Sequence, residues 1–324
     1  MFRLTVFQPD QILNPGNSGG PDLQPFRRRY LAQGDSWFSI GAIPPFQTSN
    51  LLFEMRLQDR AYAVNCANPG DHLQHMLDGR LDPQFRRLMS PRFAPGRWDA
   101  ILLSAGGNDL IDAAGVLPFY LGGSPVEPES RLLLRKEEWN GVGIERYVSA
   151  SGLERFRSHL VAQFKELVAL RDADPFSHGI PVFAHCYDYI MPRNAPVPFF
   201  SGKKTWLYPA VRAYQIPEPD WFALSKYLLD ELKSLLLMLN LPNLHIIDTT
   251  GTLVPAPSGV EVATLDWENE IHPTQTGYQK LARKFVHVID RYFADADLRG
   301  VGHDVLGGTP FGAPKSISGM GSPL

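Results

Sequence analysis

Four short segments of this chain carry residues that could act together on a carbonyl group. Gly34-Asp35-Ser36-Trp37 presents a serine just after the apolar run Tyr30-Leu31-Ala32-Gln33. Gly70 follows, then Gly107-Asn108-Asp109, and near the end His272-Pro273-Thr274. In that order they can supply a nucleophile, oxyanion donors and a general base. A serine hydroxyl becomes an effective nucleophile when a base removes its proton, and an imidazole can take that proton and later return it to a leaving alcohol. The oxyanion that forms needs fixed hydrogen-bond donors, each worth about 10²–10³ in rate. Each segment also has a plainer reading: Ser36 as a helix cap, Asn108-Asp109 as a turn with an N-cap, Gly70 as a turn glycine, His272 as a loop histidine.

Dispersed groups meet only if a scaffold gathers them, and the pattern predicts one. Strands are expected at about 29–34, 62–67, 98–104, 180–184 and 244–248, and helices at about 48–60, 145–172, 220–240 and 275–293. Leu160, Phe164, Leu167 and Leu170 repeat at helical spacing in the second of these helices. Strands alternating with helices predict a doubly wound α/β parallel sheet of about five strands. Ligands of such sheets bind beyond the carboxyl ends of the strands, where Ser36, Gly70 and Asn108 all fall. Residues 1–28 read as an irregular lead-in rich in Gly, Pro and Asn. Two connections, near 114–145 and 190–219, exceed ordinary loop length. The second holds Phe199, Phe200, Trp206, Tyr208 and Tyr214, which suggests a packed cap over the site. The tail from 296 to 324 is rich in Gly, Ser and Pro and reads as flexible.

Gly16-Asn17-Ser18-Gly19-Gly20-Pro21 imitates the nucleophile segment of a trypsin-like protease, and also a nucleophile elbow. The first histidine of the chain is His72, so a His–Asp–Ser order is impossible, and no apolar strand precedes Ser18. A turn is the better reading.

Around Ser36 the pattern resembles the SGNH (GDSL-type) hydrolase family. Gly34-Asp35-Ser36-Trp37 is similar to its first block, Asn65-Cys66-Ala67-Asn68-Pro69-Gly70-Asp71 to its second, and Ser104-Ala105-Gly106-Gly107-Asn108-Asp109 to its third. Glu270-Ile271-His272-Pro273-Thr274 with Gly277-Tyr278 is similar to the last. The resemblance implies a three-layer flavodoxin-like fold over 29–295 and a serine esterase acting through an acyl-enzyme, without a cofactor. It makes Ser36 the nucleophile, His272 the base, and Ser36, Gly70 and Asn108 the oxyanion site. The family places an aspartate three residues before the histidine, whereas this chain has Asn269. An asparagine carbonyl can hold the imidazole tautomer but cannot balance its charge. Either Asn269 orients His272, or Asp266, Glu268 or Glu270 contributes an acid.

His185-Cys186-Tyr187-Asp188-Tyr189 follows the fourth expected strand and should face the same side. His185, Asp188 and Trp206 are therefore candidate substrate-contacting or supporting residues. No metal is expected, since His185 has no partner at ligand spacing, and His72 and His75 read as a solvated helix face. The 324 residues are 44% hydrophobic with a net charge of -3, enough for a large core and without the basic excess that nucleic acid would require. No run is long enough to span a membrane, and no secretory leader is recognised, so a cytoplasmic location is expected. Cys66 and Cys186 read as free and buried. The expected partner is a small-molecule, lipid or carbohydrate ester. Two competing readings are a metal-dependent phosphoesterase and a non-catalytic binding module on a hydrolase scaffold.

Overall fold

The computed structural model describes residues 1–14, 16, 19–41, 49–196 and 205–298. Its strands are β1 (Phe2–Arg3), β2 (Thr5–Phe7), β3 (Arg28–Gly34), β4 (Arg56–Leu57), β5 (Ala61–Asn65), β6 (Ala100–Ser104), β7 (Val182–His185) and β8 (Leu244–Ile247). Six of them form one parallel sheet in the order β2-β5-β3-β6-β7-β8, while β1 and β4 pair antiparallel in a small separate ribbon. Without β2 the order is the flavodoxin-like one. Nearly every residue of β3, and every residue of β5, β6 and β7, is buried. Helices cover such strands on both faces, which is why they read as continuous apolar runs.

The helices fall into two contacting groups. Ala150–Asp172 packs against Leu73–Leu77, Gly107–Gly115 and Trp221–Met238, whereas Gln275–Leu298 packs against Leu51–Glu54, β4 and β8. Ser149 opens the helix Ala150–Asp172, its hydroxyl accepting from Gly152 N–H at 3.1 Å. Leu153, Phe156, Leu160, Phe164 and Leu167 then form its buried stripe. Among the described residues no helix is long and apolar enough to cross a membrane.

Three expectations are corrected. The sheet has six strands, because Thr5-Val6-Phe7 adds to the edge of β5, paired with Tyr62, Ala63 and Val64. Three residues carry too little alternation to register as a strand; edge-on packing of Phe7, Phe26 and Tyr62 holds them there. The segment 1–28 is thus not irregular throughout, since Pro9–Leu13 is also helical. The helix expected over 48–60 shrinks to Leu51–Glu54, because Met55 turns extended and Arg56–Leu57 pairs with β1. Ser18, Phe199, Phe200 and the tail after 298 lie outside the described residues.

Candidate active site

The site begins where β3 meets β6. Gly34 lies opposite Ser104, and a Cβ on residue 34 would come within 2.7 Å of the Ser104 Cβ, so only glycine lets the two strand ends close up. The buried Asp35 carboxylate accepts from Trp37 N–H at 2.9 Å and caps the short helix Ser36–Ser39. Ser36 is therefore the first residue of that helix rather than its cap. Its hydroxyl meets His272 Nε2 at 2.8 Å.

The tautomer of His272 follows from its neighbours. Asn269 Oδ1 accepts from the backbone N–H groups of Ile271 (3.1 Å) and His272 (2.9 Å), which identifies that atom as the oxygen. Ring Nδ1, 3.0 Å from the same oxygen, must carry a proton and donate it. Nε2 is then the lone-pair nitrogen and accepts from Ser36 Oγ. Burial pushes the His272 imidazole down to about 3, so it stands neutral with its Nε2 lone pair free, and its protonated form is disfavoured.

Two acids near His272 in sequence, Asp266 and Glu270, turn elsewhere. Asp266 binds Lys280 at 2.7 Å and Val254 N–H at 2.8 Å. The buried Glu270 carboxylate accepts from the backbone N–H groups of Trp206, Leu207 and Tyr208 at 2.5, 3.1 and 2.7 Å. Among the described residues no acid hydrogen-bonds the His272 ring. Arg193, fully buried, donates to the carbonyls of Val260, Val262 and Asn269 at 2.9, 2.6 and 2.6 Å. It pins the segment that carries Asn269. No local pattern marks Arg193, because its partners lie far along the chain.

Trp37 ties the two ends of the site together. Its indole N–H donates to Ile271 C=O at 3.1 Å, and its ring stacks on His185 with centroids 5.3 Å apart. Behind it lies a closed polar network. His185 Nε2 meets Ser104 Oγ at 2.9 Å, Ser104 Oγ meets Asp35 Oδ1 at 2.8 Å, and Tyr187 OH donates to Asp35 Oδ2. His185 Nδ1 faces Cys186 C=O at 3.0 Å and must carry a proton. Ser104 and Tyr187 thus both donate to Asp35, one to each carboxyl oxygen. Burial raises the Asp35 carboxyl to about 6, against the hydrogen bonds it accepts, and lowers His185 to about 4.

A carboxyl raised on folding stabilises fully below its ordinary value of 3.8, and that contribution is lost as pH rises through about 6. Asp35→Asn, which mimics the protonated acid, is expected to flatten the wild-type fall in thermal midpoint between about pH 4 and 6. An unchanged pH dependence in the variant would show that Asp35 is ionised in the fold throughout.

The polar atoms of His185 and Asp188 are taken up by protein partners. His185 is spent on Ser104 and Cys186. The Asp188 carboxylate, fully buried, accepts from Tyr189, Gly251, Thr252 and Leu253 N–H at 2.7, 2.7, 2.8 and 2.7 Å. Four donors saturate it, and the residue also borders the niche beside Ser36. Trp206 stands edge-on to His272 with centroids 5.2 Å apart, placed there by Glu270. Asn108 donates one amide N–H to Asp71 C=O at 3.1 Å. It shares a niche of about 30 Å³ with Ser36, Ile111, Ile190, Leu229 and Ile271. Gly70 is exposed at φ +83°, and a Cβ there would meet nothing within 4 Å. Backbone conformation, not crowding, calls for glycine at that turn. Cys66 and Cys186 are free and buried.

No family model matches the chain, and no curated protein matches it. Solved structures similar to it include the lipase Lip_vut3 from a goat rumen metagenome, at 16% identity over 85% of this chain and 97% of that one, with a TM-score of 0.40. The acetylxylan esterase Axe2 from Geobacillus stearothermophilus is similar at 16% identity over 82% and 94%, with a TM-score of 0.38. A lipase/acylhydrolase from Enterococcus faecalis is similar at 14% over 82% and 96%, also with a TM-score of 0.38.

Proposed function

We propose that this chain is a serine esterase of the SGNH type that cleaves short-chain carboxylic esters through an acyl-enzyme. The observation that carries the reading is the relay Ser36 Oγ–His272 Nε2, His272 Nδ1–Asn269 Oδ1, at 2.8 and 3.0 Å. His272 takes the Ser36 proton as Oγ attacks the ester carbonyl. The oxyanion is stabilised by the Ser36 and Gly70 backbone N–H groups and by the second amide N–H of Asn108. His272 passes its proton to the departing alcohol. Water then repeats the sequence in reverse and frees the acid.

The acyl group lies in the niche beside Ser36. The niche is small, about 30 Å³, and Ile111, Ile190, Leu229 and Ile271 line it beside the polar Asn108 and Asp188, which favours a short acyl group over a long chain. A panel of p-nitrophenyl esters from acetyl to octanoyl tests this. The acetyl ester is expected to exceed the octanoyl ester in kcat/KM by about tenfold or more, since a single methylene in a hydrophobic pocket can be discriminated at that level. A flat or rising series would reject the short-acyl assignment. No turnover of any member, with no labelling by a fluorophosphonate, would favour the non-catalytic binding module.

A further inference from the structure

Three consecutive residues after Gly70 are fastened to the helix Gly107–Gly115. Asp71 C=O accepts from Asn108 Nδ2 at 3.1 Å, Leu73 N–H donates to Asp109 Oδ2 at 3.3 Å, and His72 Nε2 meets Asp112 Oδ2 at 2.7 Å. Asn108 and Asp112 stand four apart, on one side of that helix. The first two ties involve backbone atoms and neutral or buried groups. The third joins an imidazole to a carboxylate near the surface, with the His72 and Asp112 side chains 28% and 65% exposed, and is a charged pair when His72 is protonated.

We propose that His72 and Asp112 are positioning residues for the oxyanion side of the site, holding the turn that carries Gly70 against the helix that carries Asn108. The proposal rests on the reading of Gly70 and Asn108 as oxyanion donors. Such donors accelerate a reaction only when fixed before charge develops. A turn made of exposed Asn68, Pro69 and Gly70 has little packing of its own to fix it.

His72 faces Asp71 and His75 on its own segment and Asp109 and Asp112 on the helix. Across a cleft of about 370 Å³ stand Arg155 and His159 of Ala150–Asp172, and Glu129 and Arg131 from the connection before it. The hydrogen bond to Asp112, with the nearby acids, raises His72 above its ordinary 6.5 against the effect of burial. The charged pair is complete below 6.5 and is lost as pH rises through the raised value.

The test compares wild type, Asp112→Asn, His72→Gln and Asp112→Glu with p-nitrophenyl acetate from about pH 5 to 9, with thermal midpoints recorded alongside. An exposed pair is worth up to about 1 kcal/mol, so kcat is expected to fall about fivefold in the first two variants. KM and the midpoint should stay near wild type. The wild-type decline in kcat above the ordinary histidine range should vanish in both, and Asp112→Glu should restore most of the turnover. Wild-type kcat and pH profile in Asp112→Asn and His72→Gln would overturn the proposal, as would a loss of kcat that follows a loss of folded protein. Ser36→Ala run in parallel separates the two levels. If it is inert while Asp112→Asn behaves as wild type, only the positioning role falls; if it keeps its turnover, the reading of the whole site falls.

Discussion

Ser36→Ala is expected to lower ester turnover by about 10⁴-fold or more and to abolish labelling by a fluorophosphonate. The Ser36 hydroxyl is held 2.8 Å from an unprotonated nitrogen, at the first residue of a helix whose cap, Asp35, is fixed by three other partners. Alanine removes the attacking oxygen and leaves that surrounding frame untouched, so the fold should persist. His272→Ala should cost about as much, because nucleophile and base act as one unit and their losses do not add. The measurement is kcat/KM on p-nitrophenyl acetate together with mass spectrometry of the labelled protein. Label recovered on another serine, or turnover surviving in Ser36→Ala, would end the esterase reading at this site.

Asn269→Asp is expected to raise turnover at neutral pH and to move the acidic limb of kcat/KM upward by about two to three pH units. In the present chain the imidazole is lowered to about 3 by burial, with no carboxylate to balance its charged form. The base therefore stays unprotonated far into acid, at the cost of a poorly stabilised imidazolium during the reaction. In a serine protease the replacement of that carboxylate by an amide costs about 10⁴ in turnover through the wrong tautomer; here Asn269 already holds the right one, so a carboxylate adds only charge stabilisation of the imidazolium. That gain should raise turnover by a smaller factor. The position is prepared to receive it: Oδ1 already accepts three N–H groups, and the Arg193 guanidinium lies 2.6 Å from the backbone carbonyl of the same residue. Aspartate raises the histidine pKa, so the variant protonates and loses activity at acidic pH where wild type still works. A pH series on both proteins reads the shift. A hundredfold drop in the variant with folding intact would rule out Asn269 as the orienting group.

The two predictions differ in how far the chain itself announced them. Ser36, Asn108 and His272 were visible because each sits at a strand mouth or beside the final helix, within a short pattern of Gly, Asp, Asn or Pro. Asn269 was visible as a neighbour three residues before His272, but the choice among it, Asp266, Glu268 and Glu270 was not. Four adjacent polar side chains on one loop point in directions set by what packs around them. Lys280 takes Asp266, the Trp206–Tyr208 backbone takes Glu270, and Asn269 is left to the imidazole.

What the sequence by itself determined is the alternation of strands and helices, the strand mouths and the candidate nucleophile and base, because burial on both faces and helical spacing are local patterns of residue type. Tertiary structure alone decided the sixth strand, the orientation of His272, the saturation of Asp188 and the tie from His72 to Asp112. Each of these depends on partners distant in the chain, brought within hydrogen-bond reach only when the helices close over the sheet.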